Sequence, residues 1–322
     1  MAEQGTGTRR RHPVSILIWC AGAGAAVIIS ASLNLTETRK LLVTANLWWL
    51  AVAATLALAA TCGQAIMLRA LAKVPLRLPE TYTAATAACL AALFAPAGVG
   101  AAAANARYLH KKGIGVAEAT ATAAFTQALL GAIIGLVTLL TALLAGVGIV
   151  QLLPDGRAVS IGLTVIVIGV LAAALIWVFP PVRRRVAAAT NSLMKQLRKE
   201  ISWLRSHPLR VTAAVFGALL QIACLCAAYA AALAAFNLTL PVFTLVKAYI
   251  LANSLGSLVP TPGNIGAIEA ALAGGLRIVG VDVAAALGAA LAYRLATFWF
   301  RAALGWFALR RIERLEPATE LR

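Results

Sequence analysis

A chain of 322 residues that is 61% hydrophobic and 12% charged, with a mean hydropathy of +0.88, is too apolar for a soluble globular domain. The formal net charge of +17 does not indicate nucleic acid, because the basic residues cluster between apolar runs, where they set orientation and meet anionic headgroups. Cys20, Cys62, Cys89, Cys224 and Cys226 lie in apolar runs without zinc-ligand spacing, and His12, His110 and His207 are scattered, so neither a metal centre nor a bound cofactor is expected.

Taken in order, residues 1–12 form a polar cytoplasmic N-terminus ending in Arg9, Arg10, Arg11 and His12. The apolar run 14–33 has the length that spans a bilayer and reads as an uncleaved first span. A second span, 47–68, returns to Arg69, Lys73 and Arg77. Two short apolar helices come next, 81–94 and 99–110, on either side of Phe94-Ala95-Pro96-Ala97-Gly98-Val99-Gly100. Proline and glycine stop the helix there, and each half is only about 18–21 Å long, too short to cross about 30 Å of hydrocarbon. A re-entrant hairpin keeps Arg107, His110, Lys111 and Lys112 on the cytoplasmic side; one kinked span would reverse everything downstream.

Residues 116–150 read as a long tilted span, or as a tight hairpin near 145–148, and 158–179 cross back to Pro180-Pro181. The connecting segment 183–207 concentrates arginine and lysine, with Leu193, Leu197, Ile201 and Leu204 recurring at helical spacing, as in a cytoplasmic amphipathic helix. Residues 211–236 cross outward. The arms 242–258 and 267–279 then flank a second break, Val259-Pro260-Thr261-Pro262-Gly263-Asn264-Ile265-Gly266. The last span, 283–309, ends at Arg310, Arg311 and Arg314, which places the tail, 311–322, in the cytoplasm.

This reading predicts an all-α polytopic membrane protein: six transmembrane helices plus two re-entrant broken hairpins, with both termini cytoplasmic. The single membrane domain, 13–310, divides into halves of opposite orientation, 13–150 and 158–310. Short matches support an inverted repeat: Leu76-Arg77-Leu78-Pro79 with Leu238-Thr239-Leu240-Pro241, and Pro96 and Gly100 with Pro262 and Gly266. Such repeats place a substrate site at the midplane between half-helix ends.

Half-helices starting near Val99 and Gly266 turn positive ends toward that site, which suits an anion. Glu269, in the first turn of the second one, either complements the dipole or pairs with a cationic headgroup, a proton or Arg294. Arg294 and Arg301 are two turns apart on the last span and are expected on one face. Arg294 is the more central; Arg301 either faces the site or snorkels toward headgroups. Lys247 either points into a cavity or reaches the outer interface, and Arg107 either meets a phosphate or anchors the hairpin. Pro262, Gly263 and Gly266 shape the second break. Gln127, Gln221 and Asn253 read as interhelical hydrogen-bonding residues.

The run Pro260 through Leu272, the later Tyr293-Arg294-Leu295-Ala296-Thr297-Phe298-Trp299 and Gly305, together with Arg107-Tyr108-Leu109, resemble the transmembrane domain of the lysylphosphatidylglycerol synthase/flippase family. The resemblance implies movement of lipids between leaflets of the cell membrane, with signature roles for Pro262, Gly263, Gly266, Glu269, Arg107 and Arg294. The sequence departs from the family pattern at Asn264, Ala101 and Arg301, which stand in place of a common glycine, an acidic residue and a proline. The fused aminoacyl-transferase domain of some members has no counterpart in the sequence, which implies a partner enzyme that makes the lipid.

Three function classes are compatible with these features. A lipid translocase that accepts an anionic headgroup is the leading one, and a secondary transporter of a small solute or ion shares its architecture. A membrane-embedded transferase or hydrolase needs a deep base or nucleophile, and Glu269 is the only deep carboxylate, so no enzymatic activity is expected.

Overall fold

The computed structural model describes residues 45–95, 98–144, 195, 198–258 and 262–313, and these are helical apart from turns and short connections. The expected spans at 14–33 and 158–179, the tail from 314, and Pro96 and Pro260 lie outside the described residues. The helices are α1 (Leu47–Leu71), α2 (Leu78–Ala91), α3 (Val99–Lys111), α4 (Val116–Leu144), α5 (Pro208–Ala234), α6 (Val242–Ser257), α7 (Ala267–Ile278), α8 (Val283–Arg294) and α9 (Phe300–Glu313). Among the described residues, four stretches are long and apolar enough to cross a membrane: Leu47–Leu71, Val116–Leu144, Pro208–Ala234 and Val283–Ile312.

Local chemistry sets the helix starts. The Asn46 side chain accepts from the Trp48 amide at 3.0 Å, Pro79 and Pro208 occupy first-turn positions where no donor is lost, and Asp282 accepts from the Ala284 amide at 2.9 Å. Long α1 and α5 form the central pair. They run antiparallel, since the Asn46 amide donates to the Ala235 carbonyl at one end and Arg210 donates to the Ala72 carbonyl at the other. At their crossing a Cβ on Gly63 would lie 2.4 Å from the Gly217 carbonyl oxygen, so only glycine allows the backbones this close.

The short helices form two hairpins. In the first, Lys112 pairs with Glu80 at 2.6 Å and the Thr81 and Tyr108 hydroxyls meet at 3.5 Å, so the start of α2 lies beside the end of α3. In the second, Gly256 of α6 packs onto Ile268 of α7, and Gly275 faces Ala252 and Ala248. Each hairpin arm also packs on a long helix: α2 on α9, α3 on α4, α6 on α4 and α7 on α8. The turn Ala92–Phe94 of the first hairpin touches the turn Pro262–Asn264 of the second, with Cα atoms within 8 Å.

One end of the bundle gathers the basic residues. Lys111 donates to the Ile312 carbonyl at 2.9 Å, and Lys73 pairs with Glu118 at 3.0 Å and Glu200 at 2.9 Å. The described part of the basic connecting segment is helical at 198–205 and docks on this end, with Leu204 buried beside Met67, Leu71 and Ala218 while Ile201 is exposed. Burial works against the Lys73 charge, but the hydrogen bonds and charges of Glu200 and Glu118 outweigh it and hold the ammonium above its ordinary value.

This packing leads to two expected outcomes. Gly217→Leu should lower stability in detergent by at least about 1–3 kcal/mol through overpacking at Gly63, whereas Gly131→Leu, whose Cβ has open space among the described residues, should stay within about 0.5 kcal/mol of wild type in thermal unfolding. A raised lysine value means that the Lys73 contribution is complete below its unfolded value of about 10.4 and is lost as pH rises through the folded one. The stability gap between wild type and Glu200→Gln should therefore close on titration through that alkaline range; a gap that persists when Lys73 is neutral would show that the carboxylate acts through something else.

Candidate functional site at the second helix break

The second break is built on three positive-φ residues close together: Gly263 at +61°, Asn264 at +51° and Gly266 at +85°. Glycine takes this conformation without penalty, and asparagine tolerates it better than most residues. A Cβ on Gly263 would also lie 2.7 Å from Cζ of Phe298, so that position needs glycine for space as well as for backbone angle.

Glu269 lies in the first turn of α7 and turns its carboxylate two ways. Oε2 accepts from the Gly266 amide at 2.7 Å, which satisfies a free donor at the helix start, and Oε1 accepts from Nε of Arg294 at 2.8 Å. Nη2 of Arg294 donates to the Gly263 carbonyl at 3.0 Å, and the guanidinium carbon lies 4.0 Å from the centroid of the Phe298 ring. Both side chains are buried. Arg294 thus joins the last span to both ends of the break and neutralises Glu269 at the same time.

A five-residue π turn, Leu295–Trp299, lies between Arg294 and Arg301. This corrects the expectation that the two arginines share a face. Seven residues of regular α-helix return to within about 20° of the starting direction, but a π turn absorbs about one extra residue and rotates the next stretch of helix by roughly 100°. Arg294 therefore meets α7. Arg301 is half-buried and donates its Nε to the Thr297 carbonyl.

Of the other expected site residues, Pro262 and Gly266 belong to the break, whereas Arg107 and Lys247 lie on the hairpin arms. Arg107 is exposed on α3. Lys247, in the second turn of α6, is half-buried, with Nζ 4.7 Å from the centroid of the Phe243 ring. Gly266 caps α7, and Pro262 opens the turn that holds Gly263. Gln127 touches Gly98 at the first break, its Cδ 3.8 Å from where a Cβ would stand.

Two features have no counterpart in the sequence reading, and a third brings together polar residues that it named only singly. Tyr229, Tyr249 and Tyr293 pack with ring centroids 5.3–5.9 Å apart, and the Tyr249 and Tyr293 hydroxyls meet at 3.1 Å. Asn105 is fully buried on α3 with neither amide atom hydrogen-bonded among the described residues. Gln221, Tyr249, Asn253 and Ser254 contribute polar atoms to an otherwise apolar cavity of about 40 Å³ beside α4, room for a water molecule or two. Hydroxyls and amides within apolar helices are the signal that the sequence offers, but their convergence depends on packing.

The buried pair yields a measurable outcome. Removing one partner strands the other's charge, so Glu269→Gln or Arg294→Gln should each cost about 3–5 kcal/mol, whereas the double variant should cost clearly less than the sum. Thermal unfolding of the four proteins in one detergent measures this coupling. Strict additivity would mean that the contact carries no energy.

No curated protein matches the sequence. The family model described as the lysylphosphatidylglycerol synthase TM region matches residues 14–305, which include both helix breaks, the Glu269–Arg294 pair and the π turn. The chain belongs to the lysylphosphatidylglycerol synthase transmembrane-region family, a family of membrane domains associated with lipid modification or translocation.

Proposed function

We propose that this protein is a lipid translocase of the cell membrane that passes a phosphate-bearing headgroup along the crevice between its two broken hairpins while the tails stay in the bilayer. The observation that carries this reading is the meeting of the breaks, where Ala92–Phe94 lies against Pro262–Asn264. Broken backbone is tolerated at membrane depth where protein or a water-lined cavity satisfies it, and two breaks brought together make such a place.

The proposed architecture is six spans and two re-entrant hairpins with both termini cytoplasmic, the halves related by an inverted repeat. Three observations support it. The arms of each hairpin begin and end on one side of the bundle. The basic end gathers Lys73, Lys111, Lys112 and Arg210. The packing pairs also exchange under the expected repeat: α2 on α9 matches α6 on α4, α3 on α4 matches α7 on α8, and α1 pairs with α5. A movement of one half against the other would expose the crevice to each leaflet in turn. The protein carries out no covalent chemistry in this scheme, and an enzyme that makes the headgroup is its natural partner.

The test is lipid transfer in proteoliposomes, with fluorescent phosphatidylglycerol, phosphatidylcholine and a polyprenyl phosphate offered separately. Headgroup-selective transfer at several times the protein-free rate, abolished by Gly263→Val at the break, is the expected result. No transfer of any lipid by folded protein, together with uptake of a water-soluble anion, would replace this reading with a solute carrier.

A further inference from the structure

Two arginines lie deep in the Val283–Ile312 stretch, and they differ in what answers their charge. Arg294 is buried, with a carboxylate on Nε, a carbonyl on Nη2 and an aromatic ring against its plane. Arg301 has one protein acceptor, the Thr297 carbonyl on Nε, and its terminal nitrogens have none among the described residues. Five carboxylates are engaged elsewhere: Glu80 with Lys112, Glu118 and Glu200 with Lys73, Glu269 with Arg294, and Asp282 with amides at the start of α8.

Arg301 also lies at the level of the breaks. It is eleven residues from Ile312, about 16 Å of helix, so it is well inside the span. One turn beyond it, Gly305 presses on α2, where a Cβ would lie 2.7 Å from the Thr86 carbonyl and 2.8 Å from Leu90 Cβ. One turn on from Leu90, toward Arg301, is the Ala92–Phe94 turn of the first break.

From this geometry we infer that Arg301, rather than Arg294, is the anion-holding residue of the crevice, that it takes a phosphate mono- or diester, and that Arg294 is a positioning residue that braces the second break. A guanidinium at this depth is costly unless an anion or water answers it. Its planar pair of terminal nitrogens matches two phosphate oxygens. The π turn makes the division of labour possible, because it turns Arg301 away from α7 and Glu269.

The inference rests on the translocation reading for its substrate class, and its test separates the two. Full-length protein in detergent is titrated with dihexanoyl phosphatidic acid, with dihexanoylglycerol as the uncharged control and with inorganic phosphate, and the rise in melting temperature is recorded for wild type, Arg301→Gln, Arg301→Lys and Arg294→Gln. Wild type should be stabilised by the phosphatidic acid and not by the uncharged control. Arg301→Gln should weaken binding about 10- to 100-fold, the scale of one lost charged hydrogen-bonding group, with its ligand-free melting temperature nearly unchanged. Arg301→Lys should recover part of the loss, which keeps the test valid if the glutamine variant is unstable. Arg294→Gln should lower the ligand-free melting temperature instead.

Arg301 variants that bind phosphatidic acid as wild type does, or a wild type that binds neither phosphate compound, would overturn the inference. Inorganic phosphate bound as tightly as the lipid, and lost with Arg301→Gln, would sustain the anion site while removing the lipid reading. Proteoliposomes that transfer lipid equally well with Arg301→Gln would sustain translocation and remove the role of Arg301.

Discussion

The ion pair between Glu269 and Arg294 is the contact on which the second break depends. A chain leaving helix inside an apolar bundle releases donors and acceptors that neither lipid nor neighbouring aliphatic side chains can satisfy. Here the Glu269 carboxylate accepts the Gly266 amide, Arg294 donates to the Gly263 carbonyl, and the two side chains satisfy each other. The charges are desolvated, so their net stabilisation is small compared with the loss when either is removed alone. Their value lies in geometry. They fix the positive-φ residues of the break against the last span, and Phe298 closes the arrangement by packing on both Gly263 and Arg294.

Small residues supply the other constraint. Helices in lipid gain little from burying leucine against leucine, so close backbone approach has to provide the packing. Gly63 and Gly217 allow α1 and α5 to cross, Gly256 seats α7 on α6, Gly100 seats α3 on Ala91, and Gly305 seats α9 on α2. These contacts bring the hairpins inward until their breaks touch. A bulky residue at any one of them would push apart the elements that form the crevice, so the packing glycines contribute to the site without lining it.

In the proposed translocase, the chemistry of the crevice is that of binding and release. The described residues include paired tyrosine hydroxyls, buried amide atoms without a described partner and a half-buried guanidinium. In the proposed function such a set suits an anion that must enter, be held weakly and leave. Among the described residues it offers no carboxylate pair for acid–base work, because the deep carboxylate of Glu269 is held by Arg294 and an amide. The proposed lipid passage and the proposed anion site both draw on the Arg301 guanidinium, whose terminal nitrogens have no acceptor among the described residues.

Much of the architecture was legible in the chain because membrane insertion leaves a strong one-dimensional signature. Helix breaks at the Pro96–Gly100 and Pro262–Gly266 runs, arms too short to cross, and basic residues at one end all derive from backbone donors, helix rise and the cost of charge in hydrocarbon. The starts of α3 at Val99 and of α8 at Val283 agree with the sequence reading, and α2 begins three residues earlier than expected because Pro79 fits the first turn. The sequence could also place Glu269 and Arg294 in helices at the right depth. Only the tertiary structure decided that they pair, that a π turn separates the faces of Arg294 and Arg301, that three tyrosines from different helices converge, and that Arg107 and Lys247 stand apart from the break. Periodicity along one helix cannot register a local change in winding, nor which face of another helix it will meet. Those outcomes depend on packing between residues far apart in the chain.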